Sequence, residues 1–217
     1  MFSSVEAKIR CVSEMSIDLK LFKGATAENP LRILFSACLL SERCGWDAHD
    51  YPAKRVQEIA SLPNVIALRF CPENFSFGTP RQFSTIRGGD GFDVLDGRAQ
   101  VVADDGSNWT DGAVKAAHRM LDIAHAAGAR LAILLDISPA CGSRVIYNGR
   151  HGTRTYRRGV GVSAALLIRH GYLVLTHRDE RFLEELQAIL KPDYIIDREA
   201  VNHFEDAWFR EYFEIDI

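Results

Sequence analysis

Leu131-Ala-Ile-Leu-Leu-Asp-Ile-Ser-Pro-Ala-Cys-Gly142 is the stretch on which the rest of the chain turns. Its continuous apolar run, Leu131 to Leu135, predicts a strand buried on both faces, as in the interior of a parallel sheet. The run ends in a turn carrying Asp136, Ser138, Pro139, Cys141 and Gly142. The same grammar occurs twice earlier. Leu31-Arg-Ile-Leu-Phe35 leads to Cys38, and Asn64-Val-Ile-Ala-Leu-Arg-Phe70 leads to Cys71-Pro-Glu73. Three apolar strands each deliver a cysteine at the carboxyl end, the edge of an open α/β sheet where loops converge on ligands.

Further elements follow the same order. Helices are predicted at about 52–61, 108–127, 161–170 and 180–190, with a further strand at 172–176 and a short one at Tyr194-Ile-Ile196. Thr110 or Asp111 is placed to cap the second helix and Gly128 to end it. Val94 to Val102 resembles a hairpin around Asp96-Gly97, and residues 74–81 read as a loop shaped by Gly78 and Pro80. The alternation predicts an α/β fold: a doubly wound, mainly parallel sheet with helices on both faces and a small hairpin insertion. Residues 1–30 read as an N-terminal extension, with some helical periodicity from Ser3 to Phe22, and residues 31–217 as a single α/β domain.

Composition sets outer bounds. A chain of 217 residues with 47% hydrophobic and 25% charged residues has the balance of an ordinary globular protein. The net charge of -3 supplies no general basic field for nucleic acid, and no apolar run approaches the roughly 20 residues of a membrane span. No secretory leader is evident at the N-terminus, and the five cysteines are odd in number. A cytoplasmic chain with reduced thiols is the expectation, so metal binding or catalysis is the better reading of the clustered cysteines.

Three thiolates from three loops suit a metal centre with an open position, either an iron–sulfur cluster or zinc. The competing reading is three cysteines buried as small hydrophobes. Glu73 and Ser138 flank these cysteines and could manage a proton or hold a substrate's polar edge; as ordinary residues they would be a solvated acid and a turn-capping serine. Cys44 is a candidate fourth ligand or a further thiol nearby, and Cys11 has no such context. Arg150, His151, Arg154, Arg157 and Arg158 form a basic series suited to phosphate or to solvent. Gly159-Val-Gly161 before a helix resembles an anion-binding start.

A set of ordered motifs carries a more specific likeness. Ser36-Ala-Cys-Leu-Leu40, Cys44-Gly-Trp-Asp47, Phe70-Cys-Pro-Glu73, Gly78-Thr-Pro-Arg81, Ser138-Pro-Ala-Cys-Gly142, Ile146-Tyr-Asn-Gly149 and Gly159-Val-Gly-Val162 resemble the family catalogued as domain of unknown function 523, which includes the TudS-like thiouracil desulfurases. The likeness runs from about Leu31 to Asp179, with Ser41 standing where the family more often has glycine. It implies an oxygen-sensitive 4Fe–4S cluster on Cys38, Cys71 and Cys141, with Ser138 near the substrate and Glu73 as the acidic catalytic residue. The implied reaction is non-redox exchange of sulfur for water oxygen on a thiolated nucleobase or related small thiocarbonyl compound. The alternatives are a zinc or cysteine-persulfide enzyme and a non-catalytic iron–sulfur sensor. The acidic balance favours a small thiolated substrate over thiolated tRNA, and no membrane partner is expected.

Overall fold

In the computed structural model, which describes residues 19–149, 153 and 155–214, the central sheet is built from four parallel strands. Strand β1 (Leu31–Ser36) lies inside it, flanked by β2 (Val65–Phe70) and β5 (Leu131–Leu134), and β8 (Leu173–Thr176) completes the order β2-β1-β5-β8. Leu31 pairs with Val65, Ile33 with Leu131, and Leu131 with Leu173. All four carboxyl ends therefore lie on one edge.

The unbroken apolar runs are explained by what covers each face. Ile33, Phe35, Leu131, Ile133 and Leu175 point to one side, where they pack with Ile59 of α1 (Lys54–Ala60) and with Leu183 and Leu186 of α6 (Glu180–Leu190). Leu34, Ala132, Leu134 and Val174 point to the other, against Met120 and Ala124 of α4 (Thr110–Ala127) and Leu167 of α5 (Val162–Arg169). The two-residue period of a strand sends neighbours to opposite faces, so a strand covered twice carries apolar side chains on both. Burying each large aliphatic side chain contributes about 1.5–3 kcal/mol. Leu19 and Phe22 add to the first of these cores.

The connection after β1 returns through α1 on one face, whereas α4, which feeds β5, lies on the other. The boundary between β1 and β5 is thus a topological switch point, the place where an open α/β sheet leaves a crevice.

Several local expectations are corrected. Residues 74–81 are not all loop: Pro72–Phe77 forms the short helix α2, with Pro72 at its first turn and Cys71 as its N-cap. Val94 belongs to a helix, α3 (Gly91–Leu95), capped by Asp90. The hairpin is instead β3 (Ser84–Arg87) against β4 (Gln100–Ala103), with α3 between its arms. A second hairpin, β6 (Val145–Tyr147) against β7 (Tyr156–Arg158), occupies what reads as a polar excursion. Gly128 ends α4 at φ +69°, as expected, but neither Thr110 nor Asp111 caps its start; the Thr110 hydroxyl accepts from Val101 N–H at 3.1 Å. Tyr194–Ile196 is not a strand, and Ile195 is 89% exposed. A short apolar triplet cannot report whether a partner strand lies beside it. The last described helix is α7 (Ala207–Tyr212). Most of the Ser3–Phe22 stretch, Cys11, Arg150, His151 and Arg154 lie outside the described residues.

Candidate active site

Each strand of the sheet hands a side chain to the crevice at its carboxyl end. After β1 a 3-10 turn, Ala37–Leu40, buries Cys38, and Tyr51 N–H donates to the Cys38 carbonyl at 3.0 Å. That turn ends at Ser41 with φ +64°, a left-handed conformation that glycine adopts most easily. After β2, Cys71 caps α2: its sulfur accepts from Asn74 N–H at 3.4 Å and donates to the Cys44 carbonyl at 3.5 Å. Glu73 follows in the first turn of the helix.

The turn after β5 is held from within. Ser138 Oγ accepts from the backbone N–H groups of Ala140 (3.2 Å) and Cys141 (3.1 Å) and donates toward Glu73 Oε2 at 3.5 Å. Ser138 is therefore both the turn cap and a neighbour of the acid. Asp136 accepts from Ser143, Arg144 and Val145 N–H. The turn packs on the start of α5 so closely that a Cβ at Gly161 would lie 2.5 Å from the Ala140 carbonyl carbon. Val162 and Ser163 N–H donate to the carbonyls of Pro139 and Ala140. The amides that an anion would need at this helix start are already used, which corrects the anion-binding reading of Gly159–Gly161.

Cys38, Cys44, Cys71, Cys141, Glu73 and Ser138 line a single cavity of about 260 Å³. The four cysteines are free thiols. Among the described residues, no three His, Cys, Asp or Glu side chains form a group sized for one metal ion. Crowding and burial raise the pKa of Cys44, Cys71 and Cys141. The hydrogen bond with Cys38 is the main cause that pushes Cys44 up to about 12. Cys71 is raised first by its interaction with Cys44, then by burial; Cys141 is raised by burial, then by negative charge on Cys71. Several thiolates together would need a compensating cation, and binding one releases their protons.

Sequence reasoning missed several members of the wall. The Arg81 side chain, 3% exposed, donates to the carbonyls of Cys44 and Gly78 (both 3.0 Å) and lies 3.7 Å from Glu73 Oε2. Its motif was legible, but no local signal marks an arginine as buried. Tyr51, Tyr147, His177 and Arg178 also reach the cavity. Tyr51 donates to Asp47 Oδ1 at 2.9 Å. His177 accepts from Asp136 N–H through Nδ1 at 3.2 Å, and burial drops its pKa to about 4, so it is neutral. The described members of the basic series lie elsewhere: Arg157 donates to the Gly89 carbonyl, beside a separate hollow, and Arg158 is exposed.

A sequence model of the 2-thiouracil desulfurase family matches residues 33–179, the span that holds every residue lining this cavity. The chain belongs to the 2-thiouracil desulfurase family. Among its relatives is the uncharacterized protein YbbK of Bacillus subtilis (strain 168), 34% identical over 148 residues that cover 68% of this chain and 96% of YbbK. Among solved structures, the 4Fe-4S-dependent thiouracil desulfidase TudS aligns with a TM-score of 0.59 at 32% identity, covering 75% of this chain and 99% of TudS. The described helices of this desulfurase family member include none long and apolar enough to cross a membrane.

Proposed function

We propose that this protein removes sulfur from a small thiolated nucleobase, without net redox change, at a 4Fe–4S cluster held by Cys38, Cys71 and Cys141. The observation that carries the reading is the delivery of these three thiols by three different strand ends into one cavity, with Glu73 and Ser138 on its wall. The donor set fits: the three thiols are free and share one cavity wall, so each is available as a thiolate ligand once a cation is present. Held by these three cysteines, such a cluster would supply a Lewis-acid iron and a sulfur acceptor.

The residues of the chain have the remaining tasks. Replacing C=S by C=O consumes one water and releases hydrogen sulfide, so the attacking water must give up one proton as it adds and its second as the carbonyl forms, and sulfur must receive two. Glu73 takes the proton from water at Oε2, the oxygen that faces both Ser138 and Arg81. Ser138 holds the polar edge of the base while its lone pairs secure the Cys141 turn. Arg81 fixes Glu73 and the Cys44 loop together. Tyr51 and Tyr147 offer aromatic faces to a flat ring, and a 260 Å³ cavity favours a base-sized occupant over a polynucleotide.

The test is anaerobic reconstitution with iron and sulfide, followed by turnover of free 2-thiouracil, its nucleoside and a thiolated tRNA at two salt concentrations. Bound iron with acid-labile sulfide and salt-insensitive turnover of the free base is expected. Zinc without labile sulfide would establish the zinc alternative, and a cluster without any turnover would establish the sensor. Turnover of tRNA alone, lost steeply with salt, would overturn the small-substrate assignment.

A further inference from the structure

Below the cavity lies a buried tie that reaches it from outside the family match. Asp136 Oδ1 accepts three backbone N–H groups, from Ser143 (3.0 Å), Arg144 (3.2 Å) and Val145 (3.2 Å). Its other oxygen, Oδ2, meets Nδ1 of His203 at 2.7 Å, with both side chains fully buried. Among the described residues, the buried His203 Nε2 has no partner, so the ring places its proton on Nδ1 and donates it to the carboxylate; a second N–H would be left unsatisfied there.

The turn that this carboxylate secures is strained. Ile137 sits at φ +56°, a left-handed conformation costly for a β-branched side chain. Such a residue stores about 1–3 kcal/mol and persists only where its surroundings over-determine it. Here the surroundings are the bonds of Asp136 and the Ile137 N–H to Val145 carbonyl bond of 3.1 Å. Ser138 and Cys141 lie within the loop so closed.

His203 is itself firmly placed. Its backbone N–H donates to Asp179 Oδ1 at 3.3 Å, and Asp179 Oδ2 in turn accepts from Arg144 at 3.0 Å. Its ring stacks on Trp208 (5.6 Å, 9°) and meets the edge of Phe209. The family match stops at residue 179, and almost none of YbbK or TudS remains outside its match with this chain. His203 therefore lies beyond the family match.

We propose that His203 is a positioning residue: through Asp136 it holds the strained turn that presents Ser138 and Cys141 to the cavity. The effect on turnover rests on the desulfidase reading, whereas the effect on the turn does not.

The experiment compares the full-length protein with His203→Leu and His203→Asn, since asparagine keeps an N–H donor near the position of Nδ1. Labelling of the cluster-free protein with iodoacetamide, read cysteine by cysteine by mass spectrometry, reports opening of the turn. Leucine is expected to speed labelling of Cys141 relative to Cys38 by about 10–100-fold, the factor by which losing a charge-assisted hydrogen bond shifts a local opening. Asparagine restores protection. In the reconstituted enzyme, kcat falls with leucine and recovers with asparagine. If the leucine variant does not fold, Trp208→Leu removes the stacking and makes the same comparison. Equal acceleration at both cysteines, or none, overturns the proposal. Selective Cys141 exposure in a protein that turns over no thiolated base upholds the brace and removes the desulfidase reading.

Discussion

Ser138 and Glu73 meet across the cavity at 3.5 Å although 65 positions separate them in the chain. One rides on the turn after β5 and the other on the helix after β2, two strands held apart by β1. Their meeting requires three parallel strands to end at one level. A proton acceptor and a hydroxyl are thus placed on the wall that the thiols share.

Glu73→Gln tests the acid. The amide keeps the size of the side chain and can still accept from Ser138, but it cannot take a proton. We expect iron content to be unchanged and kcat to fall by about 10²–10⁴-fold, the usual contribution of a general base. Activity within a few-fold of the parent would reduce Glu73 to a solvated loop acid.

Serine at Cys38, Cys71 or Cys141 is expected to abolish the visible absorbance of a reconstituted cluster and most of its iron, because a hydroxyl is a poor substitute for thiolate. Cys11→Ser is expected to retain both. Cluster loss in the Cys11 variant, with the other three tolerated, would reassign the ligands. Cys44→Ser reports separately on the fourth thiol of the cavity.

Arg81→Lys keeps the charge and loses the fork that serves the Cys44 and Gly78 carbonyls. With the side chain 3% exposed, water does not replace the missing donors freely. A loss of about 1–3 kcal/mol in urea unfolding is expected, the cost of unsatisfied buried carbonyls. An unchanged midpoint would mean that the lysine ammonium serves both.

His177 makes stability depend on pH. Burial, its largest influence, lowers its folded pKa to about 4 from an ordinary 6.5. The unfolded chain therefore takes up a proton, as pH falls below 6.5, that the folded protein refuses. The stability is present above 6.5 and is lost as pH falls toward 4. By linkage, unfolding should cost roughly 2 kcal/mol less at pH 5 than at pH 7.5. Comparing urea midpoints of the parent and His177→Gln at both values checks this, since the variant should lose that part of the slope. Equal slopes would place the titration on other groups.

The apolar runs at Leu31–Phe35 and Leu131–Leu135, with helical periods between them, were enough by themselves to announce a parallel sheet covered on both faces. Strand ends and the ordered cysteine motifs were also local: period and spacing are written in consecutive residues, and a parallel sheet sends each strand end to the same edge. What the tertiary structure alone decided are relations between distant positions. Arg81 became a buried fork because the Cys44 loop folds over it, and Arg157 turned to the Gly89 carbonyl instead of a phosphate. Tyr194–Ile196 stayed out of the sheet, since an apolar triplet becomes a strand only with a partner for its N–H and C=O groups. His203, in a stretch with no motif, reached Asp136 across 67 positions. A buried carboxylate takes whichever donor the packing brings to it, and no local pattern in the sequence names that donor.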